Sequence, residues 1–339
     1  MLNKPFVALL CLALLAVAGC SNNSGSSSSS SSTPAAPTGS SGASQLTIAV
    51  IPKGTTHDYW KSVDAGAQQA GKELGVQIDW KGALQESDRA GEIAIVQQFV
   101  SDKVSGIVIA PNDIAALAQP IKAATTAGIP VVVIDSAVNG TPGKDFVSFV
   151  ATDNYKGGVM GGQQLAKLLG GKGNVVLLRY QEGSASTDDR ERGFLDVMKQ
   201  NPGIHLLVDN RYGGATVSEA KSAAMDLVDY LKQADGIFCP NESTTHGMLL
   251  ALRQENLAGK VKFVGFDATP DLIAALKQGQ INALISQNPV KMGYDGVKIC
   301  VEKLRGQTVP LRDDTGVMEI DMTNINSPAV QKLLAPPPS

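Results

Sequence analysis

Aromatic residues are scarce in these 339 residues, with 8 Phe, 6 Tyr and 2 Trp making up 5% of the chain. Charge of either sign is scarcely in excess: 29 Lys and Arg stand against 32 Asp and Glu, a net charge of −3, with no basic run. Without a basic patch, nucleic-acid binding is disfavoured. The 3 histidines (His57, His205 and His246) are scattered without metal-ligand spacing, so no metal site is expected. No G-x-S-x-G, H-E-x-x-H or P-loop motif occurs, and the nearest glycine-rich piece, GGVMGG from Gly157, lacks G-x-G spacing. Those glycines are expected to ease helix packing, and neither a cofactor nor an enzyme is indicated. The one long apolar run, Phe6–Ala18, is too short to span a bilayer comfortably.

That run follows Lys4 and ends in small residues, the form of a secretory signal. Residues 1–20 read as a lipoprotein signal: the last four, Val17-Ala18-Gly19-Cys20, resemble the lipobox of bacterial lipoproteins, which implies cleavage before Cys20 and its lipidation as the first residue of the mature protein. Residues 21–45 are rich in Ser, Gly and Pro, with no charge or periodicity, and cannot bury a core. As a flexible tether they would span roughly 25–30 Å. The expected location is the cell envelope, on the extracytoplasmic face and anchored to a membrane by lipid. Cys239 and Cys300 remain in the body, where one disulfide is arithmetically possible. Their placement, at a strand end and on an apolar helix face, favours buried free thiols.

Beyond the tether, β-rich apolar runs alternate with helical stretches: LTIAVI, VQIDW, GIVIAP, IPVVVID, FVSFVA, NVVLLRY, IHLLVD, GIFCPN, VKFVGFD and NALISQ. Strands that are apolar almost throughout and separated by helices indicate parallel sheets covered on both faces. His205 lies within one such strand and is read as structural. The order also repeats: GIVIAPND matches GIFCPNES, IPVVVID matches VKFVGFD and LTIAVIP matches NVVLLRY, at offsets of about 130 residues. A repeat that long means two similar domains rather than a solenoid. The fold class is therefore α/β, with two doubly wound parallel-sheet domains facing each other across a cleft.

In open α/β sheets ligands bind beyond the carboxyl ends of the strands. The loop KGTTHDYW follows the first strand, and Asp135, Asn241, Asp267 and Gln287 each end or follow another. With Arg190 in STDDRERGF, these carboxylates, amides and a planar guanidinium suit a small neutral polyol such as a sugar. Tyr59 and Trp60 offer flat faces for a sugar ring and polar tips for its rim. Alternatively either starts the following helix and packs inward, since adjacent helical residues point about 100° apart. His57 either touches ligand, caps that helix or is a solvated loop residue. Asn241 competes as a helix N-cap. Glu191 and Arg192 are expected on a solvated helix face, with Arg190 turned to the cleft.

The elements YWKSVDAGAQQAGKELG, GIVIAPND, AGIPVVVID, ATDNYKGG, RERGF, GIFCPNE, VGFDATPD and NALISQNP together resemble the type I periplasmic solute-binding proteins of the ribose-binding group, which feed ATP-binding-cassette (ABC) sugar importers. The resemblance runs from about Leu46 to Ile320. It implies paired aromatics at Tyr59 and Trp60 sandwiching a sugar, with His57 where ribose binders carry an amide. Asp135, Arg190, Asn241, Asp267 and Gln287 fall on hydroxyl-binding positions. It also implies a three-segment hinge near Ala151–Asp153, Asn288 and Asp314. One domain would take residues 46–151 plus 289–314, the other 152–288 plus 315–334, and 335–339 would form a tail. Asp135-Ser136 replaces the Asp-Arg of the ribose pattern, and no second-domain aromatic is obvious besides Tyr212. Both departures argue against ribose itself.

The expected partners are a small neutral sugar or polyol and an ABC permease, with the chain a monomer. A sensory receptor presenting the same solute to a chemoreceptor or sensor kinase is the alternative. A glycoside hydrolase built on Asp135 and Asp267 is a more distant one. A repressor would need a helix-turn-helix ahead of the body, where this chain carries a leader and a tether.

Overall fold

The computed structural model describes residues 45–335. The leader, Cys20, nearly all of the tether and the end of the tail lie outside the described residues. Among the described residues, twelve strands form two sheets of six each, accompanied by eleven helices.

The first sheet contains β1 (Thr47–Ile51), β2 (Gln77–Trp80), β3 (Gly106–Ile109), β4 (Val131–Ile134) and β5 (Ser148–Ala151), interleaved with α1 (Asp58–Leu74), α2 (Arg89–Ser101) and α3 (Ala118–Thr126). The second contains β6 (Lys172–Arg179), β7 (Gly203–Tyr212), β8 (Gly236–Phe238), β9 (Lys262–Phe266) and β10 (Ala283–Gln287). It is preceded by α4 (Asn154–Leu168) and interleaved with α5 (Ala185–Lys199), α6 (Val217–Met225), α7 (Val228–Leu231), α8 (Glu242–Gln254) and α9 (Pro270–Lys277). After α10 (Pro289–Leu304), β11 (Arg312–Asp314) joins the first sheet and β12 (Val317–Ile320) the second, before α11 (Pro328–Leu334). The strand orders are β11-β5-β4-β3-β1-β2 and β12-β10-β9-β8-β6-β7, the same doubly wound plan twice. All pairings are parallel except β10 with β12. The chain passes from one sheet to the other after β5, after β10 and after β11.

Burial on both faces explains why the inner strands are apolar throughout. Ile48 and Val50 of β1 pack with α1 and α10 in one core, while Ala49 and Ile51 pack with α2 and α3 in another. The second sheet divides its side chains in the same way. Residues one apart on a strand point to opposite faces, so a sheet covered twice needs both apolar. Cys239 and Cys300 are free thiols in two different cores. His205 lies within edge strand β7, in the strand read from the sequence, with its side chain exposed. Among the described residues no helix is long and apolar enough to cross a membrane.

Glycines set the closest helix approaches. A Cβ at Gly158 of α4 would stand 1.9 Å from the Arg190 carbonyl oxygen on α5, and one at Gly161 2.5 Å from the Phe238 ring. Between α1 and α10, a Cβ at Gly66 would stand 1.9 Å from the Val290 carbonyl oxygen. Gly66→Ala is therefore expected to destabilise. Overpacking costs about 1–3 kcal/mol, more than the roughly 1 kcal/mol alanine returns in helix propensity. A thermal midpoint equal to or above that of the unaltered protein would contradict this.

Candidate functional site

The carboxyl ends of both sheets meet at a cavity of about 20 Å³, room for little more than a water. His57, Tyr59, Trp60, Asp135, Arg190, Asn241, Asp267 and Gln287, the eight residues named from the sequence, all line it. So do Lys53, Glu86, Tyr180, Ser186, Thr187 and Glu242, which the sequence reading missed. Lys53, Tyr180, Ser186, Thr187 and Glu242 follow a strand end or open the next helix, where the rule that located the others looks; Glu86 lies further along the loop between β2 and α2.

Asp135 and Asp267 occupy matching places after β4 and β9. Both hold left-handed backbone, with φ of 60° and 69°. Such angles are uncommon outside glycine, tolerated best by Asp and Asn, and concentrated at functional sites. Asp135 pairs with Lys53 Nζ at 2.8 Å and accepts from the Tyr59 hydroxyl at 3.0 Å. Asp267 accepts from Gln287 Nε2 and from the Glu242 backbone N–H, both at 2.9 Å. Burial pushes the Asp267 carboxyl above the usual carboxylate range, opposed by the Arg190 charge and the Gln287 hydrogen bond.

Arg190 lies in the second turn of α5, stacked over the Phe266 ring at 4.0 Å. Its Nε donates to Asn154 Oδ1 and its Nη1 to the Pro240 carbonyl, both at 2.9 Å. Nη2 is buried without a hydrogen-bond partner. An unpaired buried donor on a charged group is costly, so a donor kept in that state marks a place where a partner is wanted. Asn241 does cap α8, its Oδ1 accepting from the Thr244 N–H at 3.2 Å, and it lines the cavity as well.

The aromatic pair belongs to the core and to the cavity together. Tyr59 and Trp60 open α1, pack in the core beneath β1 and β4, and meet edge to face with ring centres 4.9 Å apart. Trp60 Nε1 donates to Glu86 at 2.7 Å. On the facing wall Tyr180, fully buried, directs its hydroxyl to the same carboxylate. Tyr212 lies away from the cavity, against the Arg179 guanidinium.

His57 has an acceptor at each ring nitrogen: Glu86 at 2.7 Å from Nδ1 and the Ala215 carbonyl at 3.1 Å from Nε2. Only imidazolium can donate from both. Burial pushes its pKa down, but Glu86 and the other acceptors outweigh it and raise the value to about 9. Burial likewise pushes Glu86 up, and His57, Lys53 and Tyr180 hold it at about 2.

Several of these contacts join the two halves. The Asp58 and Tyr59 N–H groups at the start of α1 donate to the Glu242 carboxylate at 3.1 and 2.9 Å, a cap supplied from across the cleft. Burial raises Glu242 to about 7. Ser186 N–H donates to Ser136 Oγ at 3.1 Å, and Ile114 N–H to the Gly183 carbonyl at 2.9 Å.

One expectation is corrected. Glu191 is not on a solvated face; it is buried, bound to Arg179 Nε and the Tyr180 N–H, and raised by burial to about 7. Arg192 is exposed and pairs with Asp189. Among the described residues no cluster of three His, Cys, Asp or Glu is placed to hold a metal ion.

Comparison with known proteins places this geometry. The chain is 29% identical over 286 residues to the D-ribose/D-allose-binding protein of Pseudomonas aeruginosa, covering 83% of this chain and 89% of that one. It is 26% identical over 269 residues to the D-allose-binding periplasmic protein of Escherichia coli K12, covering 78% and 86%. A carbohydrate transporter solute-binding protein from Agrobacterium radiobacter, solved with D-arabinose, superposes with a TM-score of 0.82 at 33% identity, covering 86% of this chain and all of that one. An ABC transporter solute-binding protein from Agrobacterium vitis with bound D-fucose gives 0.82 at 32% identity, covering 85% and 100%. The family model described as periplasmic binding protein domain matches residues 48–308, and the chain belongs to that family.

Proposed function

We propose that this protein captures a small neutral hydroxylated solute, a pentose or hexose, in the cleft between its two sheets and delivers it to an ABC permease. The observation that carries the reading is the triangle of Asp135, Asp267 and Arg190. Two carboxylates at duplicated strand ends supply acceptors, and a buried guanidinium has a donor to spare. The charges around them are nearly balanced: Lys53, His57 and Arg190 face Glu86, Asp135, Asp267 and Glu242. A neutral ligand with several hydroxyls fits that balance. The relatives' names, D-ribose, D-allose, D-arabinose and D-fucose, belong to the same chemical class.

Residues 46–151 with 289–314 form one domain in this reading, and 152–288 with 315–334 the other. Tyr59, Trp60 and Asp135 belong to the first; Arg190, Asn241, Asp267 and Gln287 to the second; His57 spans the gap. A ligand held from both walls stabilises the closed state because it meets both only there. The permease then recognises the closed outline of a monomer held to the membrane through Cys20 and the residue 21–45 tether.

A thermal-shift screen of the protein against monosaccharides, polyols and nucleosides tests the proposal. A ligand at 100 times its Kd adds about 2.7 kcal/mol and raises the melting temperature. A pentose or hexose is expected to do so. Silence across the whole panel would remove the sugar reading.

A further inference from the structure

A second cavity, of about 500 Å³, adjoins the small one. Tyr59, Glu242, Asp267 and Gln287 line both. These four are tied into a row: Gln287 donates to Asp267 at 2.9 Å, the Tyr59 hydroxyl lies 3.4 Å from Gln287 Oε1, and Glu242 accepts from the Tyr59 N–H. The row separates the two spaces. Beyond it the walls are Ser62 of α1, Thr269 and Ile273 around the start of α9, Pro289 and Val290 where the chain crosses between sheets, and Leu334 of α11. Pockets for small molecules measure about 300–1,000 Å³. The larger cavity is of that size, while the inner one is not. Its walls mix apolar surface with hydroxyl and amide groups, as a sugar substituent would require.

We propose that this outer cavity is a second subsite and that the protein takes an extended ligand. One sugar ring sits among Asp135, Arg190 and Asp267. A substituent on one of its oxygens, an aglycone or a second ring, passes the Gln287–Asp267 row into the outer cavity. The inference rests on the sugar-binding reading and narrows its ligand class to glycosides and disaccharides.

Calorimetric titration of the full chain tests it, with pentoses and hexoses, their methyl and p-nitrophenyl glycosides of both anomeric forms, and disaccharides containing them. At least one substituted sugar is expected to bind within threefold of its parent or more tightly. Ile273→Trp, which fills the outer cavity, is expected to weaken that ligand at least tenfold and leave the parent sugar within twofold. Ser62→Trp does the same from the opposite wall and serves if the first variant fails to fold. If parent sugars bind and every substituted one is weakened a hundredfold or more, the outer cavity is only a solvent-filled mouth and the inference falls while the sugar reading stands. Equal weakening of both ligand types by both tryptophans also overturns it. Binding of neither type overturns both readings.

Discussion

Asp267→Ala is expected to weaken binding of the best sugar by roughly 100-fold to 1,000-fold or more. The carboxylate holds Gln287 and the Glu242 N–H, and lies near the Arg190 charge. Removing one member of a buried charged network costs about 3–5 kcal/mol, and each 1.4 kcal/mol is tenfold in Kd. A second effect acts on the backbone. At φ 69° alanine is strained where aspartate is tolerated, by roughly 1–2 kcal/mol. Asp267→Asn separates the two, because asparagine accepts left-handed backbone and keeps the side chain's shape. It should lose affinity by tens of fold with little change in melting temperature, whereas Asp267→Ala should lose both. Calorimetric titration beside thermal unfolding reads the pair. Affinity within threefold of the unaltered protein for Asp267→Ala would remove this residue from the ligand's contacts. Because Asp135 occupies the equivalent position with φ 60°, the same two substitutions there should repeat the pattern.

That duplication was legible in the sequence because both strands end in the same form, an apolar run closed by one aspartate. The doubly wound plan was legible for a related reason: VVVI and GIVI are apolar at every position, which only a sheet covered on both faces requires. β11 left no such mark. Arg-Asp-Asp reads as a charged loop, and becomes a strand only because the edge beside β5 is open to it, a position where charges are customary. β12 is short, and its order in the sheet follows from the last crossing rather than from its own residues. The site was legible as a set of strand ends but not as a network. Nothing in DDRERG says that Glu191 is buried, since its partner Arg179 comes from the far end of β6. Glu86 was invisible for a similar reason. It lies in an ordinary polar loop, and its importance comes from His57 and Trp60 at the start of α1 and from Tyr180 after β6, which converge on it from two distant places in the chain.

Glu86 also makes the protein's stability depend on alkaline pH. The His57 pKa is about 9 in the folded protein against 6.5 for the free side chain. A raised pKa of this kind contributes stability that is complete below 6.5 and is lost as pH rises through about 9. Glu191 and Glu242, each raised to about 7, act in the same direction but between 4.5 and 7. Between pH 7 and 9 the slope therefore belongs mainly to His57, and because the group is half titrated by pH 9 the loss over that window is about 2 kcal/mol. Urea denaturation at pH 7, 8 and 9 should show a midpoint that falls steadily. In Glu86→Gln the imidazole loses its carboxylate, burial then favours the neutral ring, and the fall should vanish. Glu86→Ala should cost about 3–5 kcal/mol at pH 7, because it strands the Trp60 and Tyr180 donors as well. The depressed Glu86 pKa of about 2 adds the complementary limit: its contribution is present above 4.5 and lost as pH falls through about 2. A fall between pH 7 and 9 that persists unchanged in Glu86→Gln would show that the His57–Glu86 pair is not its source. A fall confined to the unaltered protein would identify this pair as the tie that holds the α1 loop against both walls of the cleft.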